Sequence, residues 1–109
     1  MAPRVLLDKC VPRGLLRDLS ALNVSHVVEE GWSGRRNGEL LRAMIPLGFD
    51  VFVTVDRNLI FQQSLSGGAV GVIVLHARGN RIADLRPLLP ELLAAATSVK
   101  PGQVVHVGA

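Results

Sequence analysis

Aromatic residues are scarce in this chain, 4% of 109 positions against 49% hydrophobic overall. The core must therefore be built from Leu, Val, Ile and Ala. That balance suits a small α/β layer fold better than a β-sandwich, where aromatics are commoner. Cys10 is the single cysteine, which excludes an internal disulfide and a cysteine-based metal centre. No apolar run reaches the ~18–20 residues that span a bilayer. The start, MAPRVLLDKC, places one basic residue, Arg4, ahead of an apolar stretch too short for a secretory signal, so a cytoplasmic location is expected. No repeat, low-complexity tract or linker interrupts the chain. One domain over residues 1–109 is the expectation, large enough to bury roughly two thirds of its unfolded surface.

Charge is biased rather than extreme. Twelve Lys and Arg face nine Asp and Glu, a formal +3 with pI near 10.0, a weak bias toward phosphate-bearing partners. Ten of the twelve bases are Arg, the residue suited to bidentate phosphate contacts.

The stretch DVFVTVDRN, 50–58, organises the rest. Its run from Val51 to Val55 is β-branched and aromatic, as expected of a strand covered on both faces in a parallel sheet. Asp56 ends the run. In open α/β sheets ligands bind just beyond the carboxyl ends of the strands, which makes Asp56 a candidate for chemistry. Its other reading, an N-cap of the following helix, stands beside it.

In chain order, RVLL (4–7) reads as a first strand ended by Asp8. Pro12 opens a helix that carries Leu15, Leu16, Leu19 and Leu22 on its apolar side and Arg13, Arg17 and Asp18 on its wet side. VSHVV (24–28) is a second strand, and GWSGRRNG (31–38) is a loop. An amphipathic helix runs from Glu39 through Leu40, Leu41, Met44 and Ile45, stopping near 46–48. After the third strand, LIFQQSLS (59–66) reads as a short helix. AVGVIVL (69–75) is a further interior strand. A helical pattern over 81–98 contains Pro87 and Pro90, so it should be kinked or split. VVHV (104–107) closes the sheet. The first three strands imply parallel pairing with right-handed crossovers.

Three acids share one positional logic. Asp8 ends the first strand, Asp56 ends the third, and Glu39 opens the helix before the third. Two carboxylates about 5 Å apart repel by roughly 3 kcal/mol at an effective dielectric near 20. A cluster of three calls for a cation or for shifted protonation. All-oxygen ligation suits Mg²⁺ or Mn²⁺, and such an ion activates water against a phosphodiester. The competing reading makes Asp8 and Asp56 helix caps and Glu39 a partner of the helix dipole.

Taken together, VLLDKCVPRGL, GWSGRRNGELLRA, GFDVFVTVDRNLIFQQ, VIVLHARGNRIADLRPLLPELLAA and KPGQVVHVG resemble the PIN-like family over nearly the whole chain. The resemblance implies a three-layer α/β/α domain with a central, mainly parallel sheet of strand order 3-2-1-4-5. It implies a Mg²⁺- or Mn²⁺-dependent ribonuclease, often the toxin of a type II toxin–antitoxin pair, with RNA, an antitoxin protein and a second copy of the chain as partners. Asp8, Glu39 and Asp56 match the family's metal-holding, catalytic acids. Lys9 and Cys10 stand where many relatives carry an acid and an amide, and Asn37 where several carry Asp. A PIN-fold binding module that has lost its metal is the alternative.

Arg35, Arg36, Arg57, Asn58, Asn80 and Arg81 flank the expected carboxyl edge and are candidates for binding substrate phosphates; Arg78 lies beside them. Cys10 reads as a half-buried thiol rather than a nucleophile. Ser33 sits in a frame unlike a nucleophile elbow. His26, His76 and His106 read as ordinary polar positions. Trp32 reads as a lid on the core, with base stacking as the minor reading.

Overall fold

A computed structural model describes residues 3–32, 34, 37–56 and 69–108, with side chains at 37 and 38 left aside. Five strands form one sheet: β1 (Arg4–Leu7), β2 (Asn23–His26), β3 (Val51–Thr54), β4 (Gly71–Leu75) and β5 (Val104–Val107). Every pairing is parallel. The expected order 3-2-1-4-5 is incorrect: the strands lie β2-β1-β3-β4-β5. β1 pairs with β3 on one side, Leu6 opposite Phe52, and with β2 on the other. The physical reason is burial. β3 is buried at every position, with only Thr54 at its end polar, whereas Asn23 of β2 is exposed. A strand apolar on both faces belongs in the interior of the sheet, and the half-polar β2 takes the edge.

Alternation along the strands sorts the core into two clusters. Val5, Leu7, Val51, Val53, Ile73, Leu75 and Val107 face one way, onto α1 (Leu15–Asp18), α3 (Ile82–Leu85) and α4 (Leu89–Ser98). Leu6, Phe52, Val72 and Val74 face the other way, onto Leu40, Leu41 and Met44 of α2 (Asn37–Met44). Helices thus cover both faces. The connections β1–α1–β2 and β2–α2–β3 step in opposite directions on opposite faces, so they share one hand. The β4–β5 connection steps away from β1 yet lies on the α1 face, so its hand is opposite to theirs. Right-handed crossovers are the strong norm, so these three connections cannot all follow it.

Local sequence accounts for the helix boundaries. α1 is shorter than the leucine spacing predicts. Leu15, Leu16 and Arg17 bond back three residues, to Pro12, Arg13 and Gly14. The chain after Asp18 continues as turns. Gly14 in the first turn weakens the helix at its start. The 81–98 pattern splits as its prolines require, into α3, a 3₁₀ turn (Arg86–Leu88) and α4. Pro87 and Pro90 each lack the N–H that a continuous helix needs. α2 runs into a 3₁₀ turn (Ile45–Leu47) closed by Gly48 at φ 79°, a left-handed conformation that glycine adopts at no steric cost. No helix among the described residues is long and apolar enough to cross a membrane.

Candidate functional site at the carboxyl edge

The order 2-1-3 reverses the direction of strand growth between β1 and β3. In doubly wound sheets that reversal opens the crevice where ligands bind. Asp8 follows β1 and Asp56 follows β3, so the corrected order puts both acids on neighbouring strands at that point.

Asp8 is 3% exposed and Thr54 fully buried. The Asp8 backbone N–H donates to Val53 O at 2.9 Å, continuing the ladder one residue past β1. Thr54 Oγ1 donates to Asp8 Oδ2 at 2.7 Å and accepts from the Asp56 N–H at 3.0 Å. One hydroxyl thereby ties the first acid to the backbone of the second. The Lys9 N–H donates to Asp8 Oδ1 at 2.7 Å, and Cys10 Sγ donates to Oδ2 at 3.3 Å. A carboxylate offers about four acceptor positions; among the described residues Oδ2 takes two of these bonds and Oδ1 one.

Cys10 is half-buried. Burial raises its thiol above the ordinary range, the Asp8 charge adds to the rise, and a hydrogen bond at the Val55 backbone opposes it. A neutral thiol donating to a carboxylate is a weak nucleophile, in keeping with the packing reading.

His26 does more than fill a polar position. It is 1% exposed, its Nδ1 accepts from the Val28 N–H at 3.1 Å, and its Nε2 lies 2.7 Å from Val11 O. A carbonyl only accepts, so Nε2 carries the proton and the ring is neutral. His26 pins the loop that presents Asp8. Asn80 adds a contact to the same loop, Nδ2 donating to Cys10 O at 3.4 Å. Nothing in the sequence marks His26 for this role except its place at the end of β2.

The remaining candidates are dispersed. Glu39 lies in the first turn of α2 and is exposed. Among the described residues, no group of three or more His, Cys, Asp or Glu side chains is placed to hold a metal, so Glu39 does not join the two edge acids in one cluster. Arg81 is exposed immediately before α3, its N–H donating to Asp84 Oδ2 at 3.3 Å. Arg78 is exposed. Ser33, Arg35, Arg36, Arg57, Asn58 and the helix expected at 59–66 lie outside the described residues. Trp32 packs edge-on against Phe49, ring centroids 6.2 Å apart, beside the α2-side core. It is a lid, as its loop position leads one to expect. His76 and His106 contact each other, Nε2 to Nδ1 at 2.7 Å.

The donor set at the edge is chemically suited to a hard cation. Mg²⁺ is commonly held by one or two carboxylates, with waters and substrate phosphates filling the other positions. Asp8 and Asp56 supply carboxylates of that type and number.

The class this geometry defines is an all-parallel α/β domain with a pair of acids at its strand-order reversal. No protein-family model matches the chain, and comparison with curated proteins and with solved structures finds no match.

Proposed function

We propose that this protein is a divalent-cation-dependent ribonuclease of PIN type, with the three-layer α/β/α organisation of that class. The observation that carries the reading is the placement of Asp8 and Asp56 at the ends of adjacent strands β1 and β3, joined through Thr54. Asp8 and Asp56 would hold Mg²⁺ or Mn²⁺ directly, and Glu39 through water. When bound, such an ion lowers the pKa of an attacking water and neutralises charge developing on the phosphodiester. The chain's own residues do the positioning. Thr54, the Lys9 N–H and Cys10 hold the Asp8 carboxylate in one rotamer. Arg35, Arg36, Arg57, Asn58, Asn80 and Arg81 would take phosphates on either side of the cut. The cellular role that fits is the toxin of a type II pair, cytoplasmic, a homodimer, and restrained by an antitoxin protein.

The experiment is RNA cleavage in Mg²⁺ or Mn²⁺ by the wild type, by Asp8→Asn and by Asp56→Asn. Activity lost in both variants and in EDTA supports the reading. Cleavage that survives both substitutions rules it out.

A second reading is favoured by how fully Asp8 is already hydrogen-bonded: a PIN-fold module that binds RNA or protein without a metal. It predicts RNA or protein binding that is indifferent to EDTA and to Asp56→Asn.

A further inference from the structure

Three arginines meet around one cavity, two of them, Arg13 and Arg17, expected on the wet side of the first helix. Arg13 just before α1, Arg17 within it and Arg86 from the 3₁₀ turn line a space of about 380 Å³, together with Gly14, Leu16 and Ile82. Two of the three already have acids: Arg13 Nη2 lies 2.8 Å from Glu29 Oε1, and Arg86 Nε 3.2 Å from Asp18 Oδ2. Arg17 has no carboxylate partner among the described residues. Three positive charges around one cavity with two counter-charges leave it one negative charge short. Donor capacity is also left over, since a guanidinium has five N–H groups and each ion pair engages one nitrogen. Gly14 lies at the floor: a Cβ there would come within 2.6 Å of Ile82 Cδ1, so the start of α1 and the Ile82 side chain of α3 are close together.

The chain links the cavity to the carboxyl edge on both of its walls. The loop leaving Asp8 passes Cys10, whose carbonyl Asn80 holds, and runs directly into Arg13. Asn80 and Arg81 lead into α3 on the other wall. We propose that this groove holds a backbone phosphate of the RNA strand whose cleavage is assigned to the Asp8–Asp56 edge. This rests on the ribonuclease reading. Planar, forked donors from Arg13, Arg17 and Arg86 suit a phosphate oxyanion, and a contact to backbone alone carries no base preference.

The experiment measures binding of a short single-stranded oligoribonucleotide in EDTA, as a function of salt, by wild type, Arg17→Gln and Arg42→Gln. Arg17 is exposed, so its substitution leaves the fold intact; Arg42 is exposed on α2, across the sheet. Inorganic phosphate is titrated in parallel, with the Gly14 amide resonance as readout. Arg17→Gln is expected to bind roughly tenfold more weakly, to lower the slope of log K against log salt by about 0.7, and to abolish the phosphate-induced shift at Gly14. Arg42→Gln should change neither. Normal RNA cleavage with an unchanged slope in Arg17→Gln overturns the groove and keeps the ribonuclease reading. A Gly14 shift with no RNA affinity overturns the groove as an RNA site, leaving an anion site for free phosphate, while the ribonuclease reading stands or falls by the cleavage assay. Absence of both signals overturns the groove outright.

Discussion

The Thr54 hydroxyl donates to Asp8 Oδ2 across 2.7 Å, between residues 46 positions apart in sequence. The contact exists because β1 and β3 are neighbours, and it is the main tie between the two ends of the candidate site. Thr54→Val keeps the shape and removes the hydroxyl. It strips one donor from a buried carboxylate and the acceptor from the Asp56 N–H, so it should cost about 1–3 kcal/mol in urea unfolding. Thr54→Ser, which retains the hydroxyl, should cost less. A loss in Thr54→Val no larger than that in Thr54→Ser would contradict this.

The raised Cys10 thiol makes a pH prediction. Its folded pKa lies above the unfolded value, chiefly through burial. The folded state therefore retains the thiol proton in a window where the unfolded chain has lost it. Stability from this group is fully present below the unfolded thiol pKa and is lost as pH rises through the folded one. Alkylation of native protein at neutral pH should be slower than that of a free thiol, and Cys10→Ala should flatten the alkaline loss of stability. Rapid native-state alkylation at pH 7 would contradict this.

Two glycines with positive φ separate backbone strain from steric clash. Gly48 has φ 79° with nothing within 4 Å of an added Cβ, while at Gly108, φ 92°, a Cβ would fall 2.2 Å from the His76 carbonyl oxygen. Gly48→Ala should cost about 1–2 kcal/mol for conformation alone. Gly108→Ala should cost more, because the backbones of β4 and β5 must separate. Thermal unfolding of both variants gives the comparison.

At the centre of the α2-side core, Phe52 is fully buried and lies opposite Leu6 and Val72. Phe52→Ala should destabilise the domain by about 3–5 kcal/mol, a large share of the stability of a small domain. Phe52→Leu should lose much less.

How far the sequence is legible depends on whether a feature is local. The aliphatic runs mark all five strands to within two residues, and Pro87 and Pro90 announce the break before α4, because propensity and covalent geometry act on neighbours. Strand order is a matter of which distant runs bury one another. The resemblance to an order of 3-2-1-4-5 missed that fully buried β3 belongs beside β1, inside the half-polar β2. The same non-locality hid Thr54, which reads as one β-former in a run until β1 lies against it, and hid the convergence of Arg13, Arg17 and Arg86. His26 looked ordinary because its partners, Val11 and Val28, are backbone groups without sequence identity.

The direct measurement for the central claim is calorimetric titration of the apo protein with Mn²⁺, using wild type and Asp56→Asn. Asp56 is the better probe because Asp8 also holds its own loop together. The account predicts uptake of one ion by the wild type and at least a tenfold loss of affinity in Asp56→Asn. No uptake by a folded wild type, or equal uptake by both proteins, would contradict it.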